Sequence, residues 1–241
     1  MKFKKIVGFG DSWMYGDELL DPNLVQGSNS CDSQNEPYRL KYCFLGQLGE
    51  HYGVPTENYG FPGSSLQSML WTFQWWLNNE PNPLDCLVLV GLTNSERISH
   101  YDPNRKHRPG NQPWNNFVHS TWLDIDNSDI PNDFVIMAKQ HLVLTTCPEF
   151  FLLNYQQSVL MFDGIAARRN IPMIQFHIRA GKCLMPHCPT LVFPDFSFFE
   201  FFQGMPNDQK KQMIKPKRHP TEVGHTLIRD RLISQIDSCI M

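Results

Sequence analysis

The stretch LDCLVLVGL, residues 84–92, constrains the fold more than any other part of the chain. It is apolar almost throughout, short, and flanked by polar residues, which is the pattern of a strand buried on both faces. Such a strand needs paired neighbours and two covering layers. KKIVGFG (4–10), a short run at 57–60 and MIQFHI (173–178) read as further strands. Between them lie helical patterns at 39–51, at 64–78 with a serine cap and an aromatic stripe, and at 133–170 with an interruption at Pro148. A last helix is expected from Pro220 to about Asp237, with proline in its first turn and Val223, Leu227, Ile228, Leu232 and Ile236 at helical spacing. Strands alternating with helices predict an α/β fold, a central parallel sheet covered by helices on both faces.

A chain of 241 residues, 41% of them hydrophobic, can bury one good-sized core, so a single domain over 1–241 is expected. Three long connections, near residues 20–38, 99–131 and 179–218, are rich in Pro, Asn and Asp or in aromatic residues. Connections of that length in a compact domain are usually functional loops or lids. The formal charge of -3 carries no polyanion-binding signature, so no nucleic-acid partner is expected. The seven cysteines are odd in number and scattered, which suggests a reducing, cytoplasmic-type environment. MKFKK is followed by an apolar run broken at Gly10 and Asp11, unlike a standard signal peptide. No membrane span is expected either.

The first strand runs directly into GFGDSWMYGDEL, which places the Ser12 hydroxyl at the carboxyl edge of the sheet, where open α/β folds bind ligands. A serine hydroxyl is a weak nucleophile at neutral pH. It needs a positioned base and donors aimed at the oxyanion that forms. His219, immediately before Pro220, is a candidate base. In NYGFPGSS, Gly63 offers a backbone N–H with no side chain in the way, and GLTNSER brings Thr93 and Asn94 to the same edge.

Together these blocks resemble the GDSL hydrolases, or SGNH superfamily, flavodoxin-like α/β esterases and lipases with a three-layer α/β/α sandwich. The resemblance spans nearly the whole chain. FGDSWMYGDEL is similar to the nucleophile block, NYGFPGSS to the second block and HPTEVGHTLI to the closing block. It implies Ser12 as catalytic serine and His219 as general base. The oxyanion hole would be the N–H groups of Ser12 and Gly63, with Asn94 or Thr93 as a third donor. A carboxylic ester, an O-acetyl ester among the candidates, on a small molecule or carbohydrate would be hydrolysed through an acyl-enzyme, with no cofactor or metal required.

Two blocks depart from the pattern. The third reads Gly91-Leu92-Thr93-Asn94 where the family has Gly-x-Asn-Asp, so either Thr93 donates through its hydroxyl or Asn94 supplies the amide. The aspartate usual three residues before the histidine is replaced by Pro216. A backbone carbonyl of 215–217 is the expected substitute for that orienting acid, with Asp195 or Glu200, or no substitute at all, as alternatives. The same departures motivate a rival of another class: an SGNH-like binding or assembly component with weak or lost catalysis.

The remaining features have plainer expectations. Asp11 is expected to order the turn and His225 to pack in the last helix. His177, Cys183, His187 and Cys188 have zinc-ligand chemistry but no standard ligand spacing. Lys210, Lys211, Lys215, Lys217 and Arg218 could meet an anionic substrate, but a charge run reads first as a solvated face. The aromatic segment FPDFSFFEFF, 193–202, is either packed onto the core, a lid or a partner surface. Trp13 either lines the pocket or packs behind Ser12.

Overall fold

A computed structural model describes residues 3–24, 28–101, 114–118, 148–179, 188–216 and 218–240. Its strands are β1 (Lys5–Gly10), β2 (Thr56–Gly60), β3 (Cys86–Leu92), β4 (Arg97–Tyr101), β5 (Trp114–Val118) and β6 (Met173–His177). Its α-helices are α1 (Ser12–Tyr15), α2 (Glu36–Tyr42), α3 (Phe44–Tyr52), α4 (Leu66–Asn79), α5 (Pro148–Arg169), α6 (Phe198–Gln203), α7 (Asn207–Met213) and α8 (Glu222–Ile240). Four strands form one parallel sheet in the order β2-β1-β3-β6, and β4 pairs antiparallel with β5 in a separate hairpin.

Alternation along the strands builds the expected three layers. Ile6, Leu87, Leu89, Ile174 and Phe176 pack with Phe44 and Leu48 of α3, Phe198 and Phe202 of α6, and Ile228, Leu232 and Ile236 of α8. Val7, Phe9, Val88, Val90 and Leu92 point the other way, onto Phe73 and Trp76 of α4 and Tyr155 and Phe162 of α5. Each fully buried side chain of this size contributes about 1.5–3 kcal/mol by leaving water. β3, at the centre, is buried at every position. Its unbroken apolar run follows from being covered on both faces.

The helices refine the sequence expectations. The helix expected over 39–51 is two, because Cys43 is extended, with φ −67° and ψ 153°. A Cβ on Gly46 would stand 1.8 Å from the Leu40 carbonyl oxygen, so the two helices meet at a distance only glycine permits. α4 starts at a reciprocal Ser65–Ser68 capping box, as its serines suggested. α5 begins at Pro148, where an interruption was expected, and 133–147 lie outside the described residues. Pro220 precedes α8 rather than opening it. The Thr221 hydroxyl accepts the Gly224 N–H at 3.1 Å and caps the helix instead. The connection over 179–218 contains two short helices, α6 and α7. Among the described residues no helix is long and apolar enough to cross a membrane.

The chain leaves β1 towards β2 on one side, whereas β3 is followed in the sheet by β6 on the other. The carboxyl ends of β1 and β3 therefore border the topological switch point, where an open α/β sheet leaves a crevice for a ligand. Ser12 follows β1 and Thr93 follows β3.

Candidate active site

The nucleophile candidate sits on a single helical turn. The Asp11 carboxylate accepts the Trp13 N–H at 2.9 Å and caps α1. Gly16 ends it at φ 82°, a left-handed conformation that favours glycine. The Gly16 and Asp17 N–H groups return to the Ser12 carbonyl at 3.1 and 2.8 Å. That reversal carries Asp17 and Glu18 back towards the Ser12 side of the sheet. Glu18 is itself left-handed, with φ 64°.

From the other end of the chain, a tight turn presents His219. Ile214 bridges Pro220 antiparallel, the Lys215 N–H donates to the His219 carbonyl at 2.8 Å, and the Arg218 N–H donates to the Lys215 carbonyl at 2.8 Å. The imidazole then meets both partners that a base requires. Its Nε2 lies 2.9 Å from Ser12 Oγ, and its Nδ1 lies 3.0 Å from Glu18 Oε2. Since a carboxylate can only accept, Nδ1 carries the proton and Nε2 accepts the serine hydroxyl. Ser12 is 4% exposed, while the His219 and Glu18 side chains keep 15% and 20% of their surface. The imidazole is thus sheltered but reachable.

Sequence reasoning missed Glu18. The group on Nδ1 is neither a carbonyl of the 215–217 loop nor Asp195 or Glu200, both of which are exposed. Lys215 reinforces the arrangement by donating its ammonium to the Glu18 carbonyl. Asp17 is a second acid nearby, its Oδ2 3.7 Å from Nε2. The one available signal was the Gly-Asp-Glu that follows the nucleophile turn, with glycine where the chain must reverse.

A buried ion pair locks the surrounding loops. Asp11 is fully buried, and its Oδ2 accepts from Thr93 Oγ1 at 2.7 Å and from Arg97 Nη1 at 3.0 Å. Arg97 also donates to the Ser64 carbonyl at 3.2 Å. The turn after β1, the exit of β3 and the 61–64 turn are therefore tied to one carboxylate, the structural part expected of Asp11. Thr93, offered as a third oxyanion donor, has its hydroxyl committed to Asp11 and is fully buried. Asn94 differs: its side-chain oxygen accepts the Glu96 N–H at 3.1 Å. Its amide nitrogen has no acceptor among the described residues. Gly63, at φ 81°, stands in a turn closed by the Ser64 N–H to the Phe61 carbonyl at 3.1 Å. The backbone N–H groups of Ser12 and Gly63 likewise have no acceptor among the described residues.

Trp13 is fully buried and packs behind the serine, its ring centroid 5.7 Å from Phe202 and 6.1 Å from Phe199. The aromatic segment around α6 is mostly core: Phe198 and Phe202 are buried, and Arg231 covers Phe196 and Phe201 at 4.7 and 4.4 Å. His225 is buried in α8, with Nδ1 accepting the Phe44 N–H at 3.3 Å, and burial pushes its pKa down to about 3. His177 is held against the Tyr155 hydroxyl, and burial lowers its pKa to about 4. Among the described residues no three His, Cys, Asp or Glu side chains converge as a metal site; Cys183 and His187 lie outside them.

No family model matches the chain, and no curated protein matches it in sequence. Solved structures similar to it include a member of the lipolytic protein G-D-S-L family from Veillonella parvula, at 14% identity and TM-score 0.38, covering 95% of this chain and 96% of that one. An alpha/beta hydrolase enzyme from the metagenome of Lake Arreo is 14% identical at TM-score 0.48, covering 97% and 95%. A catalytic mutant of an acetylxylan esterase from Geobacillus stearothermophilus is 11% identical at TM-score 0.40, covering 98% and 95%. At these scores the chemistry of the site rests on its own geometry.

Proposed function

We propose that the chain is a serine ester hydrolase of the SGNH type. The observation that carries this reading is the pair of hydrogen bonds on His219, 2.9 Å to Ser12 Oγ and 3.0 Å to Glu18 Oε2. A hydroxyl, a base and a carboxylate on its far nitrogen form the relay that nucleophilic acyl transfer needs.

Ser12 Oγ attacks the ester carbonyl while His219 Nε2 takes its proton, and Glu18 stabilises the imidazolium. The oxyanion that forms is met by the N–H groups of Ser12 and Gly63 and by the Asn94 amide. The intermediate collapses by breaking the bond to the alcohol oxygen, which leaves with the proton from Nε2. Water, deprotonated by the same nitrogen, attacks the acyl-enzyme, and the carboxylic acid departs as Ser12 recovers its proton. A small-molecule or carbohydrate ester is the proposed substrate class, and an O-acetyl ester, with the smallest common acyl group, is the first to screen.

The test is intact-mass labelling by a small fluorophosphonate. Wild type is expected to gain one adduct, Ser12→Ala none, and His219→Ala to label at least about a hundredfold more slowly. A folded wild type that takes no adduct would overturn the reading and favour a binding or assembly role for the same fold.

A further inference from the structure

Beside the loop that carries His219 lies a cavity of about 610 Å³, lined by Gln203, Lys210, Lys211, Ile214, Lys215, Pro216 and Arg218. Four of these side chains are cationic and none is acidic. Among the described residues none of the four takes part in an ion pair, although Asp and Glu side chains are common elsewhere on the chain. Solvated lysines on a free helix face would spread apart. Here α7 and residues 214–216 and 218 converge them on one concavity, where mutual repulsion makes an anion the favoured occupant.

A residue that lines the cavity is also hydrogen-bonded to the catalytic candidate. Lys215 donates its N–H to the His219 carbonyl at 2.8 Å and its ammonium to the carbonyl of Glu18, the residue on His219 Nδ1. Arg218 immediately precedes His219 and is held at φ 72°, a left-handed conformation that is unfavourable for a non-glycine residue. The backbone is bent out of its preferred region at the point where one residue faces the cavity and the next faces Ser12.

We propose that this cavity is a substrate subsite for an anionic group, a carboxylate or a phosphate, borne by the ester away from its scissile bond. The subsite deepens the esterase reading of Ser12 and His219 and rests on it. Lys210 and Lys211 supply charge from α7, and Lys215 and Arg218 supply it from the loop next to the base. The anion orients the substrate, so its effect falls on kcat/KM for charged esters and not on the acyl-transfer groups themselves.

Two substrate pairs test this, each identical but for the charge: 1-acetylglycerol against 1-acetylglycerol 3-phosphate, and acetylated galactose against acetylated galacturonate. Wild type is expected to prefer the charged member of at least one pair by about tenfold or more in kcat/KM, with the preference shrinking as salt rises. The double variant Lys210→Glu, Lys211→Glu should abolish that preference while leaving turnover of neutral p-nitrophenyl acetate unchanged. Preference for the phosphate pair alone assigns a phosphoryl-bearing substrate, and for the galacturonate pair alone an acidic saccharide. Calorimetric titration with inorganic phosphate and with galacturonate separates the two levels of inference. Binding lost in the double variant, in a wild type that cleaves no ester, would keep the anion site and sink the esterase. Ester cleavage with no charge preference in wild type would keep the esterase and sink the subsite.

Discussion

Glu18 reaches His219 because the chain reverses within a single helical turn after Ser12, at Gly16. Glu18→Gln keeps the side chain's shape but replaces an obligate acceptor with an amide that can stabilise the wrong imidazole tautomer. Turnover is expected to fall about 10³–10⁴-fold with KM little changed, measured by steady-state kinetics on an acetyl ester. A loss below threefold would remove Glu18 from the relay. Thr93 and Asn94 separate in the same experiment. Asn94→Ala should lower kcat about 10²–10³-fold with a near-native melting temperature. Thr93→Val should do the reverse, holding kcat within a few-fold while costing roughly 1–3 kcal/mol, because Asp11 loses a hydrogen bond in a buried site.

At the scale of elements, the site is assembled by one buried carboxylate. Asp11 caps α1, accepts from Thr93 beyond β3, and pairs with Arg97 at the start of β4, which in turn holds the Ser64 carbonyl. Removing one partner of a buried pair leaves an uncompensated charge. Arg97→Met is therefore expected to destabilise the protein by about 3–5 kcal/mol in urea denaturation. Labelling of Ser12 should slow with it, since three loops lose their common anchor. A shift under 1 kcal/mol would mean that Asp11 is solvated in solution. The junction of α2 and α3 makes a second, sterically simpler case. Gly46→Ala puts a methyl group against the Leu40 carbonyl, where 1.8 Å is available, and should cost about 1–3 kcal/mol.

At the scale of the whole molecule, two histidines are buried among the described residues, His177 at the end of β6 against α5 and His225 within α8. Burial lowers their pKa values to about 4 and about 3, against 6.5 when unfolded. Between those limits the unfolded chain binds the protons and the folded chain does not, so stability rises with pH across this window. It is fully present above about pH 6.5 and is lost as pH falls towards 4 and then 3. Each histidine adds a slope of up to about 1.4 kcal/mol per pH unit. His225→Phe should start from lower stability at pH 7, since the Phe44 N–H loses its acceptor, yet decline less steeply between pH 6 and 4. Equal slopes in paired denaturation series would show that His225 is already protonated in the folded state.

What the sequence by itself determined is whatever a local pattern encodes. The unbroken apolar run of β3 required cover on both faces, and the alternation of strands and helices required a parallel sheet. The strand running into Gly-Asp-Ser put Ser12 at the sheet's carboxyl edge, and the serines before α4 marked where that helix begins. The identity of the group on His219 Nδ1, the commitment of Thr93 to Asp11, and the convergence of Lys210, Lys211, Lys215 and Arg218 on one cavity were decided by the tertiary structure. These facts depend on pairings such as Glu18 with His219, 201 positions apart. Periodicity and capping fix backbone conformation over a few residues. Which side chain meets another is settled only when left-handed turns at Gly16, Glu18 and Arg218 aim distant loops at the same point in space.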